Sequence, residues 1–191
     1  MNQNSLLDVD WTAIPAPIDD GAAAHLSGCT LPPVSLPATD GQVVTLADLV
    51  GRTVVFAYPR TGQPGQIALV EDWDLIPGAR GCTPQACAFR DLFAELKAAG
   101  ASHVFGLSTQ STAYQAEMTA RLHLPFPVLS DEQLELTHAL RLPVLEVAGL
   151  TLIRRHALII DNGRITKVFY PVFPPDRNAG DVLAWLKANP A

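Results

Sequence analysis

Residues 81–91 read Gly81-Cys82-Thr83-Pro84-Gln85-Ala86-Cys87-Ala88-Phe89-Arg90-Asp91 and hold two of the three cysteines in the chain. Thr83 is a preferred N-cap and Pro84 suits the first helical position, so a helix is expected to begin here. Apolar residues then recur at the spacing of one buried helical face, namely Phe89, Leu92, Phe93 and Leu96. The stretch therefore predicts one amphipathic helix, with Cys82 at its N-terminal end and Cys87 within it.

A cysteine at the start of a helix has a distinctive chemistry. The unpaired backbone N–H groups and the positive end of the helix dipole favour an anion at that position. Because the thiolate is the nucleophilic form of cysteine, Cys82 is a candidate nucleophile. The alternative for a single cysteine is a small buried hydrophobic residue.

The spacing of the two cysteines limits how they can bond. Five residues along a helix separate the Cα atoms of Cys82 and Cys87 by about 8.6 Å. A disulfide needs Cα atoms within about 7 Å, so the two cannot bond while both are helical. We therefore expect a dithiol with a folded reduced state, and an oxidised state in which the first turn or two has unwound.

The same stretch resembles the peroxiredoxins, most closely the bacterioferritin-comigratory (PrxQ-like) branch. Members of that branch carry the run Thr-Pro-Gly-Cys-Thr-x-x-x-Cys-x-x-Arg-Asp at the start of their second helix. The matching residues here are Gly81, Cys82, Thr83, Cys87, Arg90 and Asp91. The resemblance, which extends from about Leu36 to the C-terminus, implies that Cys82 is the peroxidatic cysteine and Cys87 the resolving one.

The resemblance continues on both sides of the helix, in Leu-Ala-Asp-Leu-Val-Gly-Arg at 46–52 and Leu-Pro-Phe-Pro-Val-Leu-Ser-Asp at 124–131. Further along, it puts Arg155 at the position of the active-site arginine. A guanidinium there would favour the thiolate and orient the peroxide oxygens. Arg154 is the alternative, but alternation along a strand places it on the opposite face.

The chain departs from the family pattern between Pro59 and Cys82. In the family these positions are seven apart, whereas here they are 23 apart, which places an insertion at about 62–80. The family's hydroxyl three residues before the cysteine is replaced by Ala79, and Thr61 is the only hydroxyl between Pro59 and Gly81. From the resemblance we expect Pro59, Thr61 and Gly81 to bind substrate. Within the insertion, Trp73 either covers the substrate pocket at Cys82 or packs on the protein surface and anchors its own loop there.

The predicted elements follow the order β-α-β-α-β-α-β-β-α, with a strand or two before them, which fits a three-layer α/β sheet. The resemblance makes this a thioredoxin-like fold, a central mixed sheet flanked by helices. Residues 1–30 are expected to form an N-terminal extension, with a short helix between Gly21 and Gly28, and residues 31–191 the peroxiredoxin domain. Residues 142–153 predict either an irregular strand pair or an apolar surface. If the protein forms a dimer, the contact is expected there.

Bulk properties exclude several classes of function. Hydrophobic residues make up 48% of the 191-residue chain and charged residues 17%, as in a globular domain. A net charge of −6 argues against nucleic acid and anionic membranes as partners. Three cysteines are too few for a disulfide scaffold, so we expect a cytoplasmic protein. Cys29 is either an idle thiol or a second resolving cysteine, and no metal or organic cofactor is implied.

Taken with the resemblance, these residues predict a thioredoxin-dependent peroxidase of the atypical 2-Cys kind. The Cys82 thiolate would reduce hydrogen peroxide or an organic hydroperoxide, and Cys87 would then close an intramolecular disulfide. A thioredoxin or glutaredoxin-type dithiol would reduce that disulfide, in a monomer or a homodimer. The alternatives are a redox-sensing or holdase-type protein that uses the same disulfide, and a binding domain whose insertion has disabled the site.

Overall fold

The computed structural model describes residues 9–190, so the first residues of the predicted extension lie outside it. The helices and strands in chain order are β1 (Ser35–Pro37), β2 (Val43–Thr45), β3 (Arg52–Ala57), α1 (Cys82–Asp91), α2 (Phe93–Ala98), β4 (Ala101–Ser108), α3 (Thr112–Leu122), β5 (Val128–Ser130), α4 (Glu135–Leu140), β6 (Val144–Val147), β7 (Leu150–Ile153), β8 (His156–Asp161), β9 (Arg164–Phe169) and α5 (Asn178–Ala188).

The central sheet has the strand order β5-β4-β3-β8-β9. Strand β3 pairs in parallel with β4 and antiparallel with β8, so the sheet is mixed. The Asn162-Gly163 turn joins β8 to β9, and both of its residues have positive φ, as a type I′ hairpin turn requires. The predicted α/β order with a central mixed sheet is therefore confirmed.

Strand β3 is buried along its whole length, because it has a neighbour on each edge and a packed layer on each face. Val54 and Phe56 face one layer, and Val55 and Ala57 face the other. The strand runs directly into the loop that carries Thr61, so it supports the predicted site from below.

The helix α1 is attached to the sheet by stacked aromatic rings. The rings of Phe56 in β3 and Phe89 in α1 are parallel, with centroids 4.2 Å apart. Phe126 meets the other side of Phe56 edge-on, with ring centroids 5.6 Å apart. Because such contacts add to the apolar burial of the rings, the second half of α1 is fixed firmly to the sheet.

The start of α1 differs from the prediction, because Gly81 and not Thr83 is the N-cap. Cys82 is therefore the first helical residue. Gly81 has a φ of +104°, and a Cβ there would lie 2.5 Å from a side-chain carbon of Pro175. Only glycine satisfies both the backbone angle and this close approach, which outweighs the capping preference of a threonine.

The predicted single helix is interrupted at Leu92, which divides it into α1 and α2. The amide of Leu92 still donates to the carbonyl of Ala88 at 3.1 Å, so the hydrogen bonding continues through a local kink. Phe89 and Leu96 are buried as expected from the apolar periodicity. The kink leaves that periodicity intact, and for this reason the pattern does not reveal it.

Two segments outside the central sheet settle points that the sequence left open. The helix expected between Gly21 and Gly28 is a single 3-10 turn, Ala24–Leu26, whose Leu26 is fully buried. Strands β6 and β7 form an antiparallel pair, so this segment is a strand pair. The domain boundary at residue 30 and a dimer contact at β6–β7 stay predictions. Within residues 9–190, every helix is too short or too polar to cross a membrane.

Candidate active site

The sulfur of Cys82 lies at the start of α1, and this residue is only 3% exposed. Its thiol is 3.6 Å from the carbonyl oxygen of Ala79, to which it can donate. It accepts a hydrogen bond from Nη2 of Arg155, 3.2 Å away. The first-turn amides and this guanidinium both place positive charge near the sulfur, which is the setting of a reactive cysteine.

The Arg155 side chain is 3% exposed and its guanidinium binds backbone and side-chain oxygens around Cys82. Nη1 donates to Oε1 of Gln85. Nη2 donates to three consecutive carbonyls at 3.0–3.2 Å, those of Gly78, Ala79 and Arg80. Among the ion pairs of the described residues, none includes Arg155. Since a buried charge is costly without a partner, a Cys82 thiolate is its natural counterion.

The neighbours of Arg155 along the chain point away from this sulfur. Arg154 pairs with Asp20, its Nη1 lying 2.6 Å from the carboxylate, and its Nε donates to the carbonyl of Val144. His156 is fully buried, and burial lowers its pKa to about 4, so its imidazole is neutral near pH 7. The charge beside Cys82 therefore comes from Arg155. The two arginines lie in the connection between β7 and β8 and not on a strand, so the predicted strand alternation is not what separates them.

Gln85 and Asn178 belong to the site, although the sequence analysis does not identify them. The fully buried amide of Gln85 accepts from Arg155 and donates to Oδ1 of Asn178, 2.9 Å away. Asn178 is the first residue of α5. The pair thus joins the first turn of α1 to the C-terminal helix by a hydrogen bond. The only sign of it in the sequence is a glutamine within a predicted helix, a residue that needs hydrogen-bond partners when it is buried.

Tyr58, which directly follows β3, is a third residue near the cysteine that no sequence motif identifies. Its ring is completely buried, and its hydroxyl donates to Oε1 of Gln115 at 2.7 Å. Burial raises the pKa of Tyr58 well above its usual value, and the nearby Cys82 raises it further, although Arg155 acts in the opposite direction. The phenol is therefore neutral and adds no negative charge beside the cysteine.

A cavity of about 440 Å³ opens onto Cys82. Of the three residues predicted to bind substrate, Thr61 and Gly81 line this cavity and Pro59 does not. Pro59 is buried beneath it, where its carbonyl accepts from the hydroxyl of Ser108 at 3.2 Å. Thr61 and Cys82 therefore line the same cavity, although the insertion separates them in the sequence.

The hydroxyl of Thr61 is held in a fixed position. It donates to Oε1 of Gln110 at 3.2 Å, and the Thr61 amide donates to the same oxygen at 3.0 Å. The hydroxyl of Tyr114 donates to the carbonyl of Thr61 at 2.9 Å. Thr61 is 1% exposed, so these hydrogen bonds hold it in a buried position at the cavity wall.

The insertion forms one wall of the cavity. Trp73 lies in its 3-10 turn, Trp73–Leu75, and is half-buried at the cavity lining, as expected if it covers the pocket. Arg80 also lines the cavity, but its charge is paired with Asp74. Ile67 is 96% exposed at the rim, so the wall presents apolar surface to an entering substrate.

The other two cysteines have surroundings unlike those of Cys82. Cys87 lies inside α1 and is 5% exposed; burial raises the pKa of its thiol, Asp91 adds to the rise, and Arg90 and Arg121 oppose it. Cys29 packs against the core on the opposite face of the sheet and donates to the carbonyl of His25 at 3.0 Å. All three thiols are free.

Comparisons with known proteins agree with this geometry. The Redoxin family model matches residues 26–183. The chain is 33% identical to "Peroxiredoxin Bcp" of Escherichia coli over 168 residues, which cover 85% of this chain and 96% of that protein. It is 32% identical to the rice "Peroxiredoxin Q, chloroplastic" over 163 residues, which cover 84% of this chain and 66% of that protein's length.

The fold has a close counterpart among solved structures. The crystal structure of peroxidoxin BcpB from Mycobacterium tuberculosis superposes with a TM-score of 0.68 at 27% identity, and the match covers 86% of this chain and 98% of that one. The predicted thioredoxin-like fold is confirmed.

Proposed function

Because this chain belongs to the redoxin family and, within it, to the Q/Bcp type of peroxiredoxin, we propose that it is a thiol-dependent peroxidase whose nucleophile is Cys82. The observation that carries the proposal is the contact between the Cys82 sulfur and Arg155. This buried guanidinium has no carboxylate partner among the described ion pairs, and the cysteine that it contacts lines a cavity.

In the first step the Cys82 thiolate attacks the nearer oxygen of the hydroperoxide and the O–O bond breaks. The sulfur becomes a sulfenic acid, and the leaving oxygen takes a proton to become water or an alcohol. Negative charge moves from sulfur to the leaving oxygen during this step. Fixed donors close to both atoms stabilise that charge, and Arg155 together with the first-turn amides are placed to act in this way.

In the second step the Cys87 thiolate attacks the sulfur of the sulfenic acid, the S–O bond breaks as the disulfide forms, and the leaving hydroxide takes a proton to become water. Both cysteines are helical in this structure, so α1 must unwind at its start before the two sulfurs can meet. A thioredoxin or glutaredoxin-type dithiol then reduces the disulfide by thiol exchange. The small number of cysteines, three in the chain, supports a cytoplasmic location.

The shape of the cavity supports a substrate range that includes organic hydroperoxides as well as hydrogen peroxide. Its wall includes apolar side chains that an alkyl group can contact, Ile67, Leu69, Trp73 and Pro84. Thr61 takes the place of the hydroxyl that the insertion displaces, and it binds the peroxide together with Gly81. Pro59 supports this wall from beneath.

Rapid mixing of the reduced protein with one equivalent of hydrogen peroxide, followed by peptide mass spectrometry, tests the proposal. We expect fast loss of peroxide and a Cys82–Cys87 disulfide, and no peroxide loss above background with Cys82→Ser. Retained activity in Cys82→Ser would contradict the mechanism. A slow reaction that gives the same disulfide would support the redox sensor instead, and no reaction would support the binding domain.

A further inference from the structure

The N-terminal extension touches the start of α1 through Trp11. This residue opens a 3-10 turn, Trp11–Ala13, whose cap Asp10 accepts from the amide of Thr12 at 3.0 Å. A Cβ placed on Gly81 would lie 2.8 Å from Cη2 of Trp11. The indole therefore lies directly against the N-cap of the helix that carries Cys82.

Trp11 is held in place by the other end of the chain. Its Nε1 donates to the carboxylate of Asp176 at 2.9 Å, and its ring meets Phe173 edge-on with centroids 6.1 Å apart. Pro175 lies next to Asp176 and is also in close contact with Gly81. Gly81 is thus enclosed between Trp11 and Pro175, and the Trp11–Asp176 hydrogen bond ties these two walls together.

Unwinding of the first turn of α1 has to move Gly81 together with Cys82. Trp11 and Pro175 lie against Gly81 at close range, so this movement has to break their packing. We propose, on the basis of the function proposed above, that Trp11 is a positioning residue that holds the first turn of α1 folded. It thereby sets the rate at which the sulfenic acid on Cys82 reaches Cys87.

This rate decides between two fates of the oxidised cysteine. In one, Cys87 attacks the sulfenic acid, and a disulfide and water are formed. In the other, the sulfenate reacts with a second hydroperoxide, which gives a sulfinate and one molecule of water or alcohol. A folded first turn prolongs the life of the sulfenate, so Trp11 makes the protein more prone to sulfinic acid at high peroxide.

The test compares Trp11→Ala with the parent by rapid quench and mass spectrometry. We expect disulfide closure to be about tenfold faster in the variant, the size that follows from losing one aromatic contact and one hydrogen bond. Less Cys82 sulfinic acid should accumulate at high peroxide, while the rate of the first step stays unchanged. Asp176→Ala removes only the acceptor on an exposed side chain, and it should speed closure by a few-fold even if Trp11→Ala does not fold.

Trp185→Ala is the matched control. It also removes a half-buried indole. The guanidinium carbon of Arg52 lies over this indole, 5.3 Å from the ring centroid, and Arg52 is at the end of β3 that is far from the site. Closure should proceed at the parent rate in this variant. A loss of general packing around the site would instead change the first step and closure together in Trp11→Ala, and that outcome would overturn the inference.

The reduction potential of the disulfide gives a readout that a general loss of stability does not move. Trp11 stabilises the folded dithiol and not the unwound disulfide, so Trp11→Ala should shift the equilibrium with a reference dithiol about tenfold towards the disulfide, or about 30 mV to a more negative potential. An unchanged potential and an unchanged closure rate, with a normal first step, would overturn the inference. A parent protein that fails in the first step would instead overturn the proposed function.

Discussion

The first turn of α1 and the interior of the same helix each hold one cysteine, in surroundings of opposite kind. Cys82 accepts a hydrogen bond from the Arg155 guanidinium and lies where the amides of the helix start are unpaired. Among the described residues no hydrogen bond reaches the thiol of Cys87, and burial raises its pKa. Two residues of one type, five positions apart, are therefore prepared for different chemistry.

The difference shows how two cysteines that are close in sequence can take different roles, one as the nucleophile and the other as the resolving thiol. A thiol reacts as its thiolate, so the raised pKa keeps Cys87 unreactive while α1 is folded. In the proposed cycle, unwinding of the first turn opens the surroundings of Cys87 to water while Cys87 itself stays in place, and so weakens the cause of that rise. In the proposed cycle the second cysteine becomes reactive only after the first has been oxidised and has moved.

Among the variants that test this difference between the two cysteines, Cys87→Ser is expected to have the largest effect on turnover. The first reaction with peroxide should keep its rate, because the surroundings of Cys82 do not change, but turnover driven by a dithiol should be lost. The sulfenic acid should be trapped by a dimedone-type reagent and seen by mass spectrometry. Cys29→Ser is the matched control and should turn over normally, since Cys29 lies on the other face of the sheet. Normal turnover in Cys87→Ser would mean that Cys29 or an external thiol is the resolver.

The next effect in size is expected from Arg155→Met, which removes the charge next to Cys82 and keeps similar bulk. The second-order rate constant for peroxide should fall by about 10²- to 10³-fold, as when one fixed donor to a developing charge is lost. Stopped-flow measurement of peroxide loss provides this rate. Arg154→Met removes the neighbouring arginine, which points to Asp20, and should change the rate by less than about twofold. Equal losses in the two variants would contradict the assignment of Arg155.

A smaller effect is expected from Thr61→Val, which keeps the shape of the side chain and removes its hydroxyl. Loss of one neutral hydrogen bond to the peroxide should lower the rate constant about tenfold. Thr61→Ser retains the hydroxyl and should keep a rate within a few-fold of the parent. If Thr61→Val reacts as fast as the parent, the displaced hydroxyl has no replacement in this protein.

Much of the fold follows from local patterns that the sequence carries. Three examples are the apolar run of β3, the N-cap Ser111 of α3 and the Asn162-Gly163 turn. In each, the structure is set by interactions within a few residues of the chain. The N-cap of α1 is different, because the contact of Gly81 with Pro175 joins residues 94 positions apart. Local preference for a threonine cap was outweighed there by tertiary packing, and no pattern near residue 81 records it.

The candidate site was predictable in its chemistry and less so in its support. The resemblance identified Cys82, Cys87 and Arg155 by their motifs, and the structure places Cys82 and Arg155 in contact. The bond from Gln85 to Asn178 joins residues 93 positions apart, and that from Trp11 to Asp176 joins residues 165 apart. Partners at such separations leave no periodicity or spacing, so only the folded chain shows them.

The stacked rings of Phe56 and Phe89 give the unwinding of α1 a direction. Because Phe89 holds the second half of the helix on the sheet, the helix opens from its first turn, and the sulfur of Cys82 moves while Cys87 stays near its place. In the proposed cycle each turnover then contains one local unfolding and one refolding of that turn. The turnover rate should therefore respond to temperature and to mild denaturant as a folding reaction does, long before the rest of the domain unfolds.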